Sequence, residues 1–537
     1  MTPEVAAYIS TVKNAYQLWM SNLAIKERVG IGKNRLMLYI QACFVTGYIK
    51  IIDRYYSKTN PDVDNFITKG LMDILRDRVD RILRVPAVPA ITYYGPLTFA
   101  YSGTQCIIKL KAVNGEPVVI DWGNGKTTTV SGHGDMLISV SSIYTSTETF
   151  DIKFSCTKNA ITYFDINNQN CGGSISWIVA WSSLTYLDLY DNSGLTGDLT
   201  NLYLLTALKH IDLYNTTLTT CVITSWSSLT NLEYIDLRGS NATGVVTSWS
   251  SMTSLEEVHI GIGTTCSGVI TNWGNSNLTH LRILDMPDCS LTGTMTYLMT
   301  ISTLEEMILN DNVITGSIYS PTPIAINLRY VNLSGTSVTG IITQWSAFES
   351  LEYLNFNAVT GITGTIGYFY YLNNLETLII NAATAITGNI GNYNVLTKLK
   401  YLDISHTAIT GDILNWSGGM NLIEHIDIHD TALIGDVSQF FNFDNIVFIM
   451  GDDTNTEWST TDGWLAKDNI SLSFNSAGWI SDDVDDCLIS LAGGGIPEDC
   501  ILNSYIDIAG TNDVRTAASD LAIALLNWNG NTVIVNI

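Results

Sequence analysis

Two kinds of residue recur along this chain at intervals that set them in columns. Tyr163, Tyr186, His210, Tyr234, Tyr330, Tyr353, Tyr401 and His425 follow one another at steps of 23 or 24 residues or small multiples of them. Two residues after most of them stands an acid: Asp165, Asp188, Asp212, Asp236, Asp403 and Asp427. A two-residue offset puts both members of a pair on one face of a strand. Aromatic rings beside carboxylates suit sugars, because the ring stacks on the apolar face of a pyranose while the acid accepts from its hydroxyls. They suit a protein ligand as well. Acids are so frequent in the column that no single pair stands out as a glycosidase dyad.

One short stretch offers a second chemistry. "EHIDIHD", residues 424–430, sets His425, Asp427 and His429 at alternate positions, a geometry open to a transition metal. The sequence shows no third ligand converging on them, so an exposed polar strand is the favoured reading and no metal is expected. No GxSxG, HExxH, P-loop or GxGxxG motif appears. The sequence therefore predicts no catalytic residue and no cofactor.

The elements that position these columns are repeats. Aligned on the last apolar residue of each "L-x-x-L-x-L" core, the chain steps through Ile166, Leu189, Leu213, Leu237, Ile260, Met286, Leu309, Leu333, Phe356, Ile380, Ile404 and Ile428. A second signature follows five or six residues later, as in "LTGDL" at Leu195 and "ITGTI" at Ile362, and then a bulky group such as Trp249, Trp273, Trp345 or Trp416. The run "TSWSS" occurs at both Thr224 and Thr247. Each coil thus presents the same indole to the same slot between its neighbours.

This grammar, carried through eleven successive steps, resembles the leucine-rich repeat, and its L-T-G-x-I element resembles the plant-type subclass. The same element is common in surface proteins of gut bacteria and in their tailed phages. The resemblance implies a mainly β solenoid of parallel strands with the Tyr and Asp columns on its concave face. It equally implies that "YLDL" is ordinary scaffold of the subclass, and both readings of the columns stay open. The position three after each alignment residue, including Asn192, Thr216, Ser240, Asn312, Thr336, Thr407 and Thr431, reads as a buried polar ladder, with Gly263 and Val359 departing from it.

Four segments are expected. Residues 1–85 read as amphipathic helices, from a capped start at Thr2–Pro3 to a last helix ending in a charged "RDRVDR" face. Residues 86–157 read as short β runs; "VVIDWGNGKTTTV" resembles the W-G-[DN]-G hairpin of PKD-type β-sandwich modules, which implies a small β-sandwich spacer. The solenoid covers 158–450. Residues 451–537 hold terminal repeats and two helix–strand units (helices at 481–492 and 516–528) that read as a C-terminal cap.

Composition narrows the partners. Only 14% of residues are charged, and the net charge is −25. The first 90 residues hold 13 of the 26 Lys and Arg but 8 of the 51 acids, leaving 13 basic and 43 acidic residues beyond them. That acidic body repels nucleic acid and anionic lipid. Leu36–Ile52, the most lipid-like run, is broken by Gln41, Gly47 and Lys50 and reads as a buried helix. Nine cysteines without a CxxC pair read as buried thiols, although Cys487 and Cys500 are spaced to bridge. An external character without a visible export signal, together with the order anchor, module, display surface, points to a virion fibre or adhesin of a tailed phage. In that reading residues 1–85 contact other virion proteins and the solenoid contacts a host glycan or protein. A homo-oligomer is compatible with it. The alternatives are a bacterial surface adhesin and a polysaccharide depolymerase.

Overall fold

The computed structural model describes residues 97–536 apart from 147, 219, 275–276, 319–324, 392, 460–469 and 494–503. The helices and linker expected before residue 97 lie outside the described residues, as does Cys500. Cys106, Cys156, Cys171, Cys221, Cys266, Cys289 and Cys487 are buried free thiols. Among the described residues no helix is long and apolar enough to cross a membrane.

The first described segment is a pair of antiparallel sheets. One contains β1 (Leu97–Tyr101), β3 (Pro117–Asp121), β4 (Thr127–Ser131) and β6 (Phe150–Ser155), and the other β2 (Gln105–Ala112), β5 (Ile138–Ile143) and β7 (Ile161–Asp165). Trp122 is buried between them, its indole donating to Thr128 Oγ1 at 2.8 Å while Tyr144 Oη donates to the Trp122 carbonyl at 3.0 Å. Gly123 turns with φ +71°, and a Cβ there would meet the Asp151 carbonyl at 2.7 Å. The hairpin therefore has room only for glycine.

Both sheets run on into the repeats. β7 pairs in parallel with β9 (Tyr186–Asp188), setting Tyr163 beside Tyr186 and Asp165 beside Asp188. On the other side β1 pairs with β8 (Cys171–Ser174), which pairs with β10 (Gly194–Thr196). The module thus covers the apolar end of the first coil, the task a terminal cap performs in a solenoid.

From there each coil repeats one path. A three-residue strand lies on the concave side, in register with its neighbours from Tyr186–Asp188 through to Thr532–Ile534. A turn follows with a residue in the left-handed region: Asn168, Asp191, Asn215, Asp288, Asp311 and Asp430 hold φ between +48° and +58°. Asn and Asp tolerate that region through local hydrogen bonds. A second short strand carries the L-T-G element, and its glycine lies against the previous coil. At Gly244, with φ +123°, a Cβ would stand 2.8 Å from Thr224 Oγ1. A 3₁₀ turn then carries the indole inward.

The "TSWSS" run now has a reason for its first and last polar letters. Thr224 and Thr247 accept the amides of Val245 and Val269 from the next coil, at 3.1 and 3.0 Å. Ser228 and Ser251 donate to the carbonyls of Tyr203 and Ser227 in the preceding coil, at 3.1 and 3.2 Å. Trp226, Trp249 and Trp273 are wholly buried and stack at 6.3 Å between successive ring centres. The motif welds one coil to both of its neighbours.

The polar ladder is split between two jobs. Asn192 and Asn312 reach across coils: Asn192 accepts from Cys171 N at 2.7 Å and donates to the Ile166 carbonyl at 2.8 Å, and Asn312 does the same with Leu291 N and the Met286 carbonyl at 2.8 Å each. Thr216, Ser240, Thr336, Thr407 and Thr431 instead donate to the carbonyl three residues back in their own coil, at 2.6–2.7 Å. A hydroxyl is too short to span the gap that the amide spans. At the departure Gly263, its neighbour Thr264 takes over, donating to the Gly261 carbonyl at 2.7 Å.

At the far end two helices, α1 (Ser481–Leu491) and α2 (Asp520–Trp528), back strands Tyr505–Asp507 and Thr532–Ile534.

Two predictions follow from the coil geometry. Among the described residues the buried indole N–H groups of Trp181, Trp226, Trp249, Trp273 and Trp345 find no acceptor. Removing one by Trp249→Phe sheds an unmet donor and is expected to cost under ~1.5 kcal/mol, against about 3–5 kcal/mol for Trp249→Ala. Urea midpoints distinguish the two; equal losses would contradict the packing account. Ala382 holds φ +56° in the left-handed turn position. Ala382→Gly should raise stability by about 0.5–1 kcal/mol, read in the same titration, because the Cβ strain disappears.

The concave face as candidate binding site

Every residue placed in the Tyr and Asp columns lies on the concave strands, in direct register. Tyr163, Tyr186, His210 and Tyr234 stand side by side, with Asp165, Asp188, Asp212 and Asp236 beside them in the same order. Tyr330 and Tyr353 are a second group, and Tyr401 with His425 a third that includes Asp403 and Asp427. Glu257, Ile283 and Glu306 separate the first group from the second.

The rings do not offer their faces to a ligand as the sequence suggested. Strands about 4.8 Å apart force aromatic groups in one column into contact. Tyr163–Tyr186, Tyr186–His210 and His210–Tyr234 stack at 4.1, 4.0 and 4.3 Å, nearly parallel. Tyr330–Tyr353, Tyr401–His425 and His425–Phe448 repeat this at 4.0, 4.0 and 4.1 Å. Each ring covers the next, so within a run the surface presents edges and hydroxyls. Inside these runs a ligand meets ring edges and hydroxyls before ring faces.

The Asp column is partly spent on its own turns. Asp165, Asp188, Asp212, Asp236, Asp403 and Asp427 each accept, through one oxygen, the backbone N–H two residues on, at 3.0–3.3 Å. Asn332 and Asn355 do the same for Ser334 and Asn357. This is an Asx turn, and it supplies a scaffold reason for the acid at every coil. Second oxygens mostly have partners too: Lys109 Nζ on Asp165 at 3.0 Å, Asn167 on Asp188 at 3.0 Å, Arg238 on Asp236 at 2.6 Å. Among the described residues Asp212 has no such counter-charge in contact.

Burial and crowding show in the protonation of these groups. Burial, reinforced by Asp236 and Asp188 and opposed by the Tyr214 amide, pushes the Asp212 carboxyl up to about 7. Burial raises Asp188 and Asp427 as well. His210 and His425, each sandwiched between rings, are lowered to about 4 by desolvation, so both are neutral at pH 7. Burial lifts the phenols of Tyr186, Tyr234 and Tyr330 above their ordinary range, and they remain hydroxyl donors.

A charged column that sequence reading missed runs along the edge of this face, one residue before the rings. Lys209 pairs with Glu233 at 2.6 Å, Arg282 with Glu305 at 3.2 Å and with Glu257, Arg329 with Glu352 at 2.9 Å, and Lys400 with Glu376 at 2.7 Å. Its signal was present as a charge four residues before successive alignment positions. The central coils add Arg238 bridging Asp236 and Asp285, with His259 on Asp285 at 3.1 Å.

Over the first coils these features enclose an open cavity of about 350 Å³, lined by Tyr163, Tyr186, His210, Tyr234 and the charged groups Lys111, Lys209, Glu233, Glu256 and Glu257. The "EHIDIHD" set does not converge: His425 lies within the ring stack, and His429 sits in the following turn, bonded to Asp427 and to His406.

Asp212 gives a signed pH test. Its folded value lies above the ordinary carboxyl value, so the folded state holds a proton that the unfolded state releases, and stability falls as pH rises from about 4 to about 7. Asp212→Asn keeps the acceptor for Tyr214 and removes the charge. It should exceed the wild type by on the order of 1–3 kcal/mol at pH 8, with the gap closing at pH 4. Urea unfolding at the two pH values reads it, and a pH-independent gap would refute the assignment. His210 works in the opposite direction: its lowered value costs stability as pH falls through 6.5 towards 4.

No protein-family model and no curated protein matches the sequence. Solved structures do. The crystal structure of a TDR receptor is similar with a TM-score of 0.50 at 18% identity, over 70% of this chain and 63% of that one. The plant peptide hormone receptor RGFR1, in complex with RGF2, has a TM-score of 0.48 at 19% identity, over 68% of this chain and 66% of that one. The leucine-rich-repeat protein LIC12759 of Leptospira interrogans has a TM-score of 0.43 at 15% identity, over 66% of this chain and 85% of that one. This chain spans less than two thirds of the length of either receptor chain. At such identities the likeness is one of fold. The described part of the chain is a mainly β, leucine-rich-repeat solenoid of parallel strands, preceded by a small β module.

Proposed function

We propose that this chain is a recognition protein that grips a polypeptide on its concave face, over the coils from Tyr163 to Glu257. The observation that carries this reading is the ring stack. Because Tyr163, Tyr186, His210 and Tyr234 cover one another, the cavity offers ring edges, hydroxyls and charges of both signs in place of open aromatic faces. Mixed edges and charges complement the amides and side chains of a polypeptide better than the apolar face of a sugar. A host glycan remains the second reading, supported by the hydroxyls and by the carboxyl of Asp212.

We infer that the setting is the particle of a tailed phage of gut bacteria, with residues 1–85 docking to other virion proteins. The alternative is a bacterial cell surface. Support comes from the basic first segment set against an acidic remainder and from the L-T-G-x-I grammar. Deleting residues 1–85 is expected to abolish incorporation into purified particles, measured by mass spectrometry; unchanged incorporation would remove the docking role.

Binding of the purified chain to intact host bacteria tests the ligand class. Protease treatment of the cells should remove binding and periodate should spare it. Tyr234→Ala should lower affinity about tenfold or more, since it opens the stack at the cavity wall. Loss to periodate with survival of protease would replace the polypeptide by the glycan.

A further inference from the structure

Among the described residues no three His, Cys, Asp or Glu side chains are grouped closely enough to hold a metal ion. Two histidines nonetheless meet in a way that asks for a cation. His406 and His429 stand in the turns that follow the concave strands Tyr401–Asp403 and His425–Asp427. Their Nε2 atoms face each other at 2.8 Å. His406 Nδ1 lies 2.9 Å from Asp430 Oδ2, and His429 Nδ1 lies 2.5 Å from Asp427 Oδ1.

An ionised carboxylate can only accept, so each Nδ1 carries the hydrogen. The neutral tautomer that this fixes leaves a lone pair on each Nε2, and the two nitrogens stand 2.8 Å apart with the rings edge to face. A shared proton or a metal cation between the two nitrogens relieves that arrangement. A carboxylate behind each imidazole is also the partner that orients metal-binding histidines and raises their basicity.

We propose that His406 and His429 bind a borderline divalent transition-metal ion, of the Zn²⁺, Ni²⁺ or Cu²⁺ class, through their Nε2 atoms. Imidazole suits these ions. Two ligands at metal distances of 2.0–2.1 Å in a tetrahedral arrangement stand about 3.3 Å apart, so the rings must part by about half an ångström. The His406 side chain is 48% exposed and has room to do so, whereas His429, at 19%, is the fixed member. The remaining coordination positions open towards solvent, where water or a donor from a bound molecule completes them. The site sits on the rim of the third aromatic group, apart from the cavity over the first coils. His406 takes a left-handed turn position, φ +52°, where most other coils use Asn, Asp or Gly and two use Ala.

Equilibrium dialysis of the full chain against Zn²⁺, with Cu²⁺ electron paramagnetic resonance as a second readout, tests the site. One Zn²⁺ should bind, with two nitrogen donors in the Cu²⁺ spectrum. His406→Asn, which suits the left-handed turn, and His429→Gln should each abolish it. Asp430→Asn keeps both imidazoles and should weaken binding 10–100-fold. Circular dichroism confirms that each variant is folded. Zn²⁺ uptake that is the same in the wild type and in His406→Asn would overturn the proposal and leave the pair sharing a proton.

Discussion

A single coil of this chain cannot hide its own apolar side chains. Its concave strand, its L-T-G strand and its 3₁₀ turn each direct one or two aliphatic or indole groups into a slot whose floor and ceiling belong to other coils. Leu232, Ile235 and Leu237 are wholly buried, as are Trp226 and Trp249 on the opposite side of the same stack. Water leaves those groups only when the neighbours are in place. Stacking is therefore the condition for folding, and everything on the concave face inherits its spacing.

That spacing decides what the face offers. A strand separation of about 4.8 Å is close to the 4.0–4.3 Å between the centres of the stacked rings, so an aromatic column packs against itself. The column is rigid and preorganised, but its faces are used up. The same parallel register lines up acids, and four aspartates in succession would repel one another. Lys109, Asn167 and Arg238 relieve three of them, and Asp212 relieves itself by holding its proton near neutrality. The face thus becomes a set of hydroxyl edges between bands of paired charge.

Much of this was legible in the sequence. The twelve alignment positions, the Trp slot and both C-terminal helices depend on apolar periodicity, which a sequence displays directly. So did the column membership of every candidate residue from Tyr163 to Asp427. What escaped was whatever depends on the third dimension between coils. Ring faces covering each other, the Asx role of Asp188, and the difference between Asn192 and Thr216 in the ladder all turn on distances across coils. The partner of His429 was missed for the same reason, since His406 lies in another coil. The antiparallel pairing of β7 with β2 was hidden because nothing in "ITYFD" marks what lies along the strand's other edge, whereas its parallel partner β9 followed from the repeat.

Native-state hydrogen exchange, followed by mass spectrometry across the concave strands, tests the central claim most directly. If each coil is held by its neighbours, peptides from Tyr186 to Asp427 open together, with closely similar protection, and the β module opens no earlier than the first coils it covers. Coils that exchange independently, each at its own rate under native conditions, would contradict the account.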